Sequence, residues 1–195
     1  MADNGAGAKP IQFDIVHPPT MIWNPSYNGY LIEKVGRNGR PTGQLGLTKP
    51  LRPENKCKVL VNVYTYRTSV PTVGTYVVME FTVSGKFLFA RRTRKQPDKL
   101  FLREGGFDPE NPEDITTTAD PRVFLMKPFG GPTGDVMFDW HGSPSRVITV
   151  FQIPQRSAEL MAEGDGPGGV EAQLFRLVPP KLRCSDDGDS LEVVP

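Results

Sequence analysis

Reactive side chains are scarce in this chain of 195 residues, which has two cysteines, two histidines and two tryptophans. So few Cys and His, with no ligand-like spacing between them, exclude a tetrahedral metal site. Cys57 and Cys184 lie far apart and read as two reduced thiols in a reducing compartment. Long hydrophobic runs are also missing. The longest uncharged stretch of note, residues 68–79, is too short to span a bilayer and is broken by Pro71 and Gly74. The start, MADNGAGAKP, has no apolar run and carries Asp3, unlike a secretory signal. The one Asn-x-Ser triplet is void as a glycan acceptor, because Asn24 is followed by Pro25. These absences predict a cytoplasmic or nuclear protein that is not secreted.

Catalytic constellations are equally thin. Gly164, Gly166 and Gly169 satisfy GxGxxG, but Pro167 interrupts them and no strand-to-helix context surrounds them, so the segment reads as a loop. Gly130-Gly131-Pro132-Thr133-Gly134 lacks the lysine of a phosphate loop and reads as a hairpin connection. Asp139, His141 and Ser143 are triad residue types, yet side chains of one strand-to-turn segment do not converge, and no GxSxG elbow exists. His17 abuts two prolines and reads as structural. Asp108, Glu110, Glu113, Asp114 and Asp120 gather hard oxygens of the kind calcium takes, but without EF-hand spacing. That segment reads as a solvated acidic loop. The expectation is a protein that is not an enzyme, with no catalytic residue, no metal, no cofactor and no small-molecule substrate.

Glycine and proline are abundant instead, 20 of each, nearly twice the usual combined share of about 12%. So many breakers exclude bundles and coiled coils and favour short strands joined by turns. Alternation is clearest over residues 57–67. There Cys57, Val59, Val61 and Val63 line one face, with Lys58, Asn62, Tyr64 and Tyr66 on the other. Val77, Met79, Phe81 and Val83 repeat the pattern, and Ser84-Gly85 turns the chain into Lys86–Arg92 as a hairpin, with a return at Lys99–Arg103. Further strands are predicted at Ile11–Val16 (stopped by His17-Pro18-Pro19), Tyr30–Val35, Arg122–Lys127, Asp135–Trp140, Arg146–Ile153 and Val170–Val178. Arg37–Pro53 reads as a connection. Ser157–Glu163, SAELMAE, has good helix formers and stops at Gly164, which predicts one short helix. No internal repeat is visible in the residues. The predicted fold is all-β, an antiparallel two-sheet sandwich or jelly roll of about ten short strands. The expected organisation is a flexible tail over 1–10, one domain over 11–183 and an acidic tail over 184–195.

Charge is segregated along the chain. Residues 31–103 hold 15 Lys and Arg against four Asp and Glu, and residues 104–195 hold seven against 16. The overall +1 therefore conceals blocks of +11 and −9. The basic block peaks in KFLFARRTRKQPDKLFLR, where Lys86, Arg91, Arg92, Arg94, Lys95, Lys99 and Arg103 face Asp98 alone. Read as a hairpin with a cationic tip, this segment predicts contact with nucleic acid or an anionic membrane surface. Trp23, Tyr27 and Tyr30 form an aromatic cluster in a turn region, a candidate oligomer contact. Together these features predict a self-assembling viral structural protein of matrix or coat type, part of a virion and homo-oligomeric. The alternative is a monomeric or dimeric module that binds a protein or an anionic partner.

Overall fold

The computed structural model describes residues 8–48, 57–69, 71–91, 99–105, 114–140, 146–151 and 157–180, and the backbone of 182–184 and 191–193. Among these residues the alternating segments become strands of one sheet. Their ranges are β1 (Gln12–Asn24), β2 (Gly29–Val35), β3 (Pro41–Thr48), β4 (Leu60–Arg67), β5 (Thr75–Phe81) and β6 (Lys86–Arg91). The chain continues through β7 (Lys99–Arg103), β8 (Phe124–Pro128), β9 (Val136–Trp140), β10 (Arg146–Val150), β11 (Ala158–Ala162) and β12 (Arg176–Val178).

The expected sandwich is replaced by a barrel. Antiparallel pairing runs β1-β4-β5-β8-β9, and β12 returns to pair with the other side of β1. The ring closes at a single rung, where Val136 and Phe175 exchange hydrogen bonds of 2.7 and 2.9 Å. A sandwich leaves two sheets with open edges, whereas here the first and last strands cover one another.

The backbone repeats three times although the residues do not. Strands β1–β4, β5–β8 and β9–β12 each give their first and fourth strands to the barrel and fold the middle two into a hairpin. The second strands of the hairpins, β3, β7 and β11, lie against one another and cap one end of the barrel. Side chains on the inner faces, among them Ile22, Val61, Met79, Phe124, Phe138 and Phe175, fill the interior. The opposite face of β4 and β5 is not solvated. Tyr64, Tyr66, Tyr76 and Val78 are buried there in a second cluster with Phe87, Phe89, Ile115 and Val123. A tyrosine fits such a face because its ring is apolar and only its tip is polar.

Several expectations about single elements are corrected. Strand β1 runs through His17-Pro18-Pro19, and its ladder with β4 skips between His17 and Thr20, where two residues without N–H groups cost no ladder bond. The expected connection over 37–53 contains β3, whose Leu45 and Leu47 enter the core between glycines. The expected helix over 157–163 is β11, paired with β10 at five successive positions. Ala158 and Leu160 point inward and Glu159 outward, so the segment satisfies a period of two as well as helix propensity, and the ladder decides. Residues 169–173 form a 3-10 helix, so the expected strand over 170–178 shrinks to β12.

Parts of both expected tails pair with other residues. Lys9 and Thr118 exchange 2.9 Å bonds, and Pro10 bridges Thr117. In the expected acidic tail, β13 (Leu182–Cys184) pairs with β14 (Leu191–Val193), while Asp186, Asp187 and Asp189 lie outside the described residues. The reading of two reduced thiols is overturned, because Cys57 is disulfide-bonded. Cys57 lies in the turn before β4.

Candidate functional site: the outward face of the second hairpin

The hairpin β6–β7 carries the described part of the basic segment. Its register sets Phe87 opposite Arg103, Phe89 opposite Phe101, and Arg91 opposite Lys99. Between them, Leu88, Ala90, Leu100 and Leu102 point into the main core. Strict alternation in KFLFAR and KLFLR therefore puts Arg91, Lys99 and Arg103 on the face away from the barrel interior.

That face is ordered from within. Phe89 and Phe101 stack with centroids 5.8 Å apart and planes 6° from parallel. The Arg103 guanidinium lies over both rings, 4.7 Å from the Phe89 centroid and 5.6 Å from that of Phe101. Such a contact holds a long cationic side chain by its flat face and leaves its edge outward. A second guanidinium, Arg122, approaches Phe89 at 5.9 Å. Arg122 is held by Asp120 through bonds of 2.8 and 2.6 Å and donates to the Gly105 carbonyl at 3.2 Å. The Asp120 bond raises the Arg122 pKa, against the opposing effect of burial, so this cation stays charged and is neutralised locally.

Arg91, Lys99 and Arg103 differ from it. All three are exposed, and none has an ion pair with a described residue. Lys86 does not join them. Its ammonium meets Glu33 of β2 at 2.5 Å, where both side chains are largely buried, and Glu33 also accepts from Gly43 N–H at 3.1 Å. Arg92, Arg94 and Lys95 lie outside the described residues.

The aromatic trio is engaged within the molecule. Trp23 and Tyr30 are cross-strand partners, and Arg176, itself bonded to Asp135, sits 5.4 Å over the Trp23 ring. Tyr27 packs on the main core, with its hydroxyl where a Cβ on Gly168 would sit 2.3 Å away. Two polar residues missed by the sequence reading lock this region. Buried Asn24 donates to the Leu174 carbonyl at 2.9 Å and accepts from Tyr27 N–H at 2.9 Å. Buried Gln173 accepts from Gly164 N–H and donates to Thr149 Oγ1. Their signal was an amide among turn residues, which composition does not distinguish from an exposed one.

The remaining candidates do not form a site. Asp139 on β9 pairs with Lys127, and burial raises its carboxyl pKa while the lysine opposes the shift. His141 and Ser143 lie outside the described residues. Gly164, Gly166 and Gly169 all have positive φ in the loop leaving β11, and the 3-10 helix after them has five residues. Gly130–Gly134 joins β8 to β9. Of the acidic segment, Asp114 is exposed and Asp120 holds Arg122, while Asp108, Glu110 and Glu113 are outside the described residues. His17 is exposed on β1. Among the described residues, no three His, Cys, Asp or Glu are grouped so as to hold a metal, and no helix is long and apolar enough to cross a membrane.

No protein-family model matches the chain, and no curated protein matches it. Solved structures do. Chicken cytokine interleukin 1 beta is 16% identical, with a TM-score of 0.65 over 86% of this chain and 99% of that one. A Caenorhabditis elegans protein of unknown function is 11% identical, with a TM-score of 0.53 over 92% and 99%. ThreeFoil, a designed three-fold symmetric protein, is 10% identical, with a TM-score of 0.50 over 82% and 97%. At these identities the likeness is one of fold. It agrees with the closed barrel and three hairpins described above, the arrangement called a β-trefoil.

Proposed function

We propose that this β-trefoil chain is a non-enzymatic recognition protein that works as a monomer and binds a macromolecular partner on the outward face of hairpin β6–β7. The observation that carries the reading is the contrast among its cations. Lys86, Arg122 and Arg176 are matched to Glu33, Asp120 and Asp135, while Arg91, Lys99 and Arg103 share one face of one hairpin without an acidic partner among the described residues. The barrel interior is filled by apolar side chains, which leaves recognition to the surface. The coat or matrix reading needed aromatic side chains for subunit contacts, and Trp23, Tyr27 and Tyr30 have partners inside the molecule. The likeness to a protein named as a cytokine supports a surface-recognition reading. The Cys57 disulfide supports an oxidising compartment in place of the cytoplasm or nucleus.

Light scattering on the purified protein, combined with ultraviolet absorbance for bound nucleic acid, tests the reading. The expected result is a 21.6 kDa particle free of nucleic acid. A discrete particle of many subunits would overturn it in favour of assembly.

A further inference from the structure

We infer that the ligand of this face is an extracellular sulfated polysaccharide, an inference that rests on the recognition reading above. Arg91 and Lys99 share the outermost described rung of the hairpin, and Arg103 lies four residues back along β7. At about 3.3 Å per residue the two cationic positions are roughly 13 Å apart. They suit successive anionic groups on an extended chain better than one compact anion. Arg103 is already aligned by the Phe89–Phe101 stack beneath it, so binding an anion orders little further.

The same stack argues against single-stranded nucleic acid. Bases are gripped by open aromatic faces, whereas Phe89 is 4% exposed and lies under the Arg103 guanidinium. The half-buried Phe101 has one face on Phe89 and the same guanidinium 5.6 Å away, so the described hairpin presents charge ahead of open rings. The Cys57 disulfide points the same way. Disulfides persist where proteins are secreted or displayed, and there the abundant linear polyanions carry sulfate esters. The anionic lipid surface is a property of the cytoplasmic leaflet.

The test uses the full chain and a fluorescent heparin-derived oligosaccharide, titrated by anisotropy at several salt concentrations. Chemically desulfated oligosaccharide and single-stranded RNA of matched charge run in parallel. The sulfated probe is expected to bind most tightly. The pair Arg91→Ser and Lys99→Ser should weaken it by about tenfold and lower the salt slope by roughly 0.7 for each cation lost. Adding Arg103→Ser should weaken it further. The exposed pair keeps the test independent of Arg103, whose removal also disturbs packing. Equal binding of the desulfated probe, tighter binding of RNA, or an unchanged salt slope would each overturn the inference. A monomer with a flat isotherm rejects the polysaccharide alone, whereas a many-subunit particle rejects the recognition reading itself.

Discussion

Glu33 shows how one buried carboxylate can join two hairpins. It lies on β2, accepts from Gly43 N–H on β3, and holds the Lys86 ammonium of β6. Removing the cation leaves the charge buried with a single amide, which costs about 3–5 kcal/mol. Lys86→Met should therefore lower stability by that amount in urea unfolding, and adding Glu33→Leu should recover most of it. Equal stability of Lys86→Met and wild type would show that the pair contributes nothing. The buried phenols give a second expectation. Tyr64, Tyr66 and Tyr76 all have pKa values raised above the ordinary 10.0, by burial first, and Tyr64 also donates a 2.7 Å bond to Glu80. The folded chain holds these protons after the unfolded chain has released them. The stabilisation is complete below pH 10.0 and is lost as pH rises through the raised values. An alkaline titration should show these three phenols ionising together with unfolding, whereas tyrosinate absorbance that rises fully while near-ultraviolet dichroism stays native would contradict their burial.

At the scale of elements, parity decides more than propensity. Val61 is fully buried on β4 opposite Phe81, so Val61→Asp should abolish folding. On β11, Leu160 is 1% exposed and its neighbour Glu159 is open to solvent. Leu160→Asp should unfold the protein while Glu159→Lys leaves its melting temperature within about a degree, because surface changes stay within roughly 0.5 kcal/mol. Comparable losses from the two would restore the helix reading of SAELMAE. The misread elements share a cause. Glycines interrupt the alternation in β3, prolines interrupt it in β1, and β11 is built from helix formers. Each is held as a strand by its ladder, β3 by β2, β11 by β10 and β1 by β4 and β12, and pairing is not a property of the segment's own residues. The elements read correctly, such as β4, β5, β6 and β7, are those in which alternation runs unbroken between turn residues.

For the whole molecule, the disulfide changes the expected response to environment. Closing a long loop restricts the unfolded chain and is worth about 2–4 kcal/mol. Reductant should accordingly lower the melting temperature of wild type, and Cys57→Ser should melt at that lower temperature with or without reductant. A wild-type melting curve indifferent to reductant would mean that the bridge adds no stability. Segregated charge also takes a different meaning at this scale. Part of the basic block is matched within the folded chain: Lys86 by the buried Glu33 of the same block, and the exposed Arg67 by Asp14 near the start of the chain. What remains on hairpin β6–β7 is smaller than the +11 of residues 31–103 and more localised.

From the residues alone followed the all-β class, the β5–β6–β7 antiparallel run, a turn within Trp23–Tyr30 and the placement of cations along one hairpin. Each is set by neighbours within a few positions, where alternation, turn chemistry and charge are local properties. Barrel closure, the three-fold backbone repeat, the strand over 158–162, the bonded state of Cys57 and the division between matched and unmatched cations were decided only by tertiary structure. These depend on contacts between distant segments. Val136 with Phe175, Glu33 with Lys86 and β3 with β7 and β11 meet because the chain has already folded back on itself.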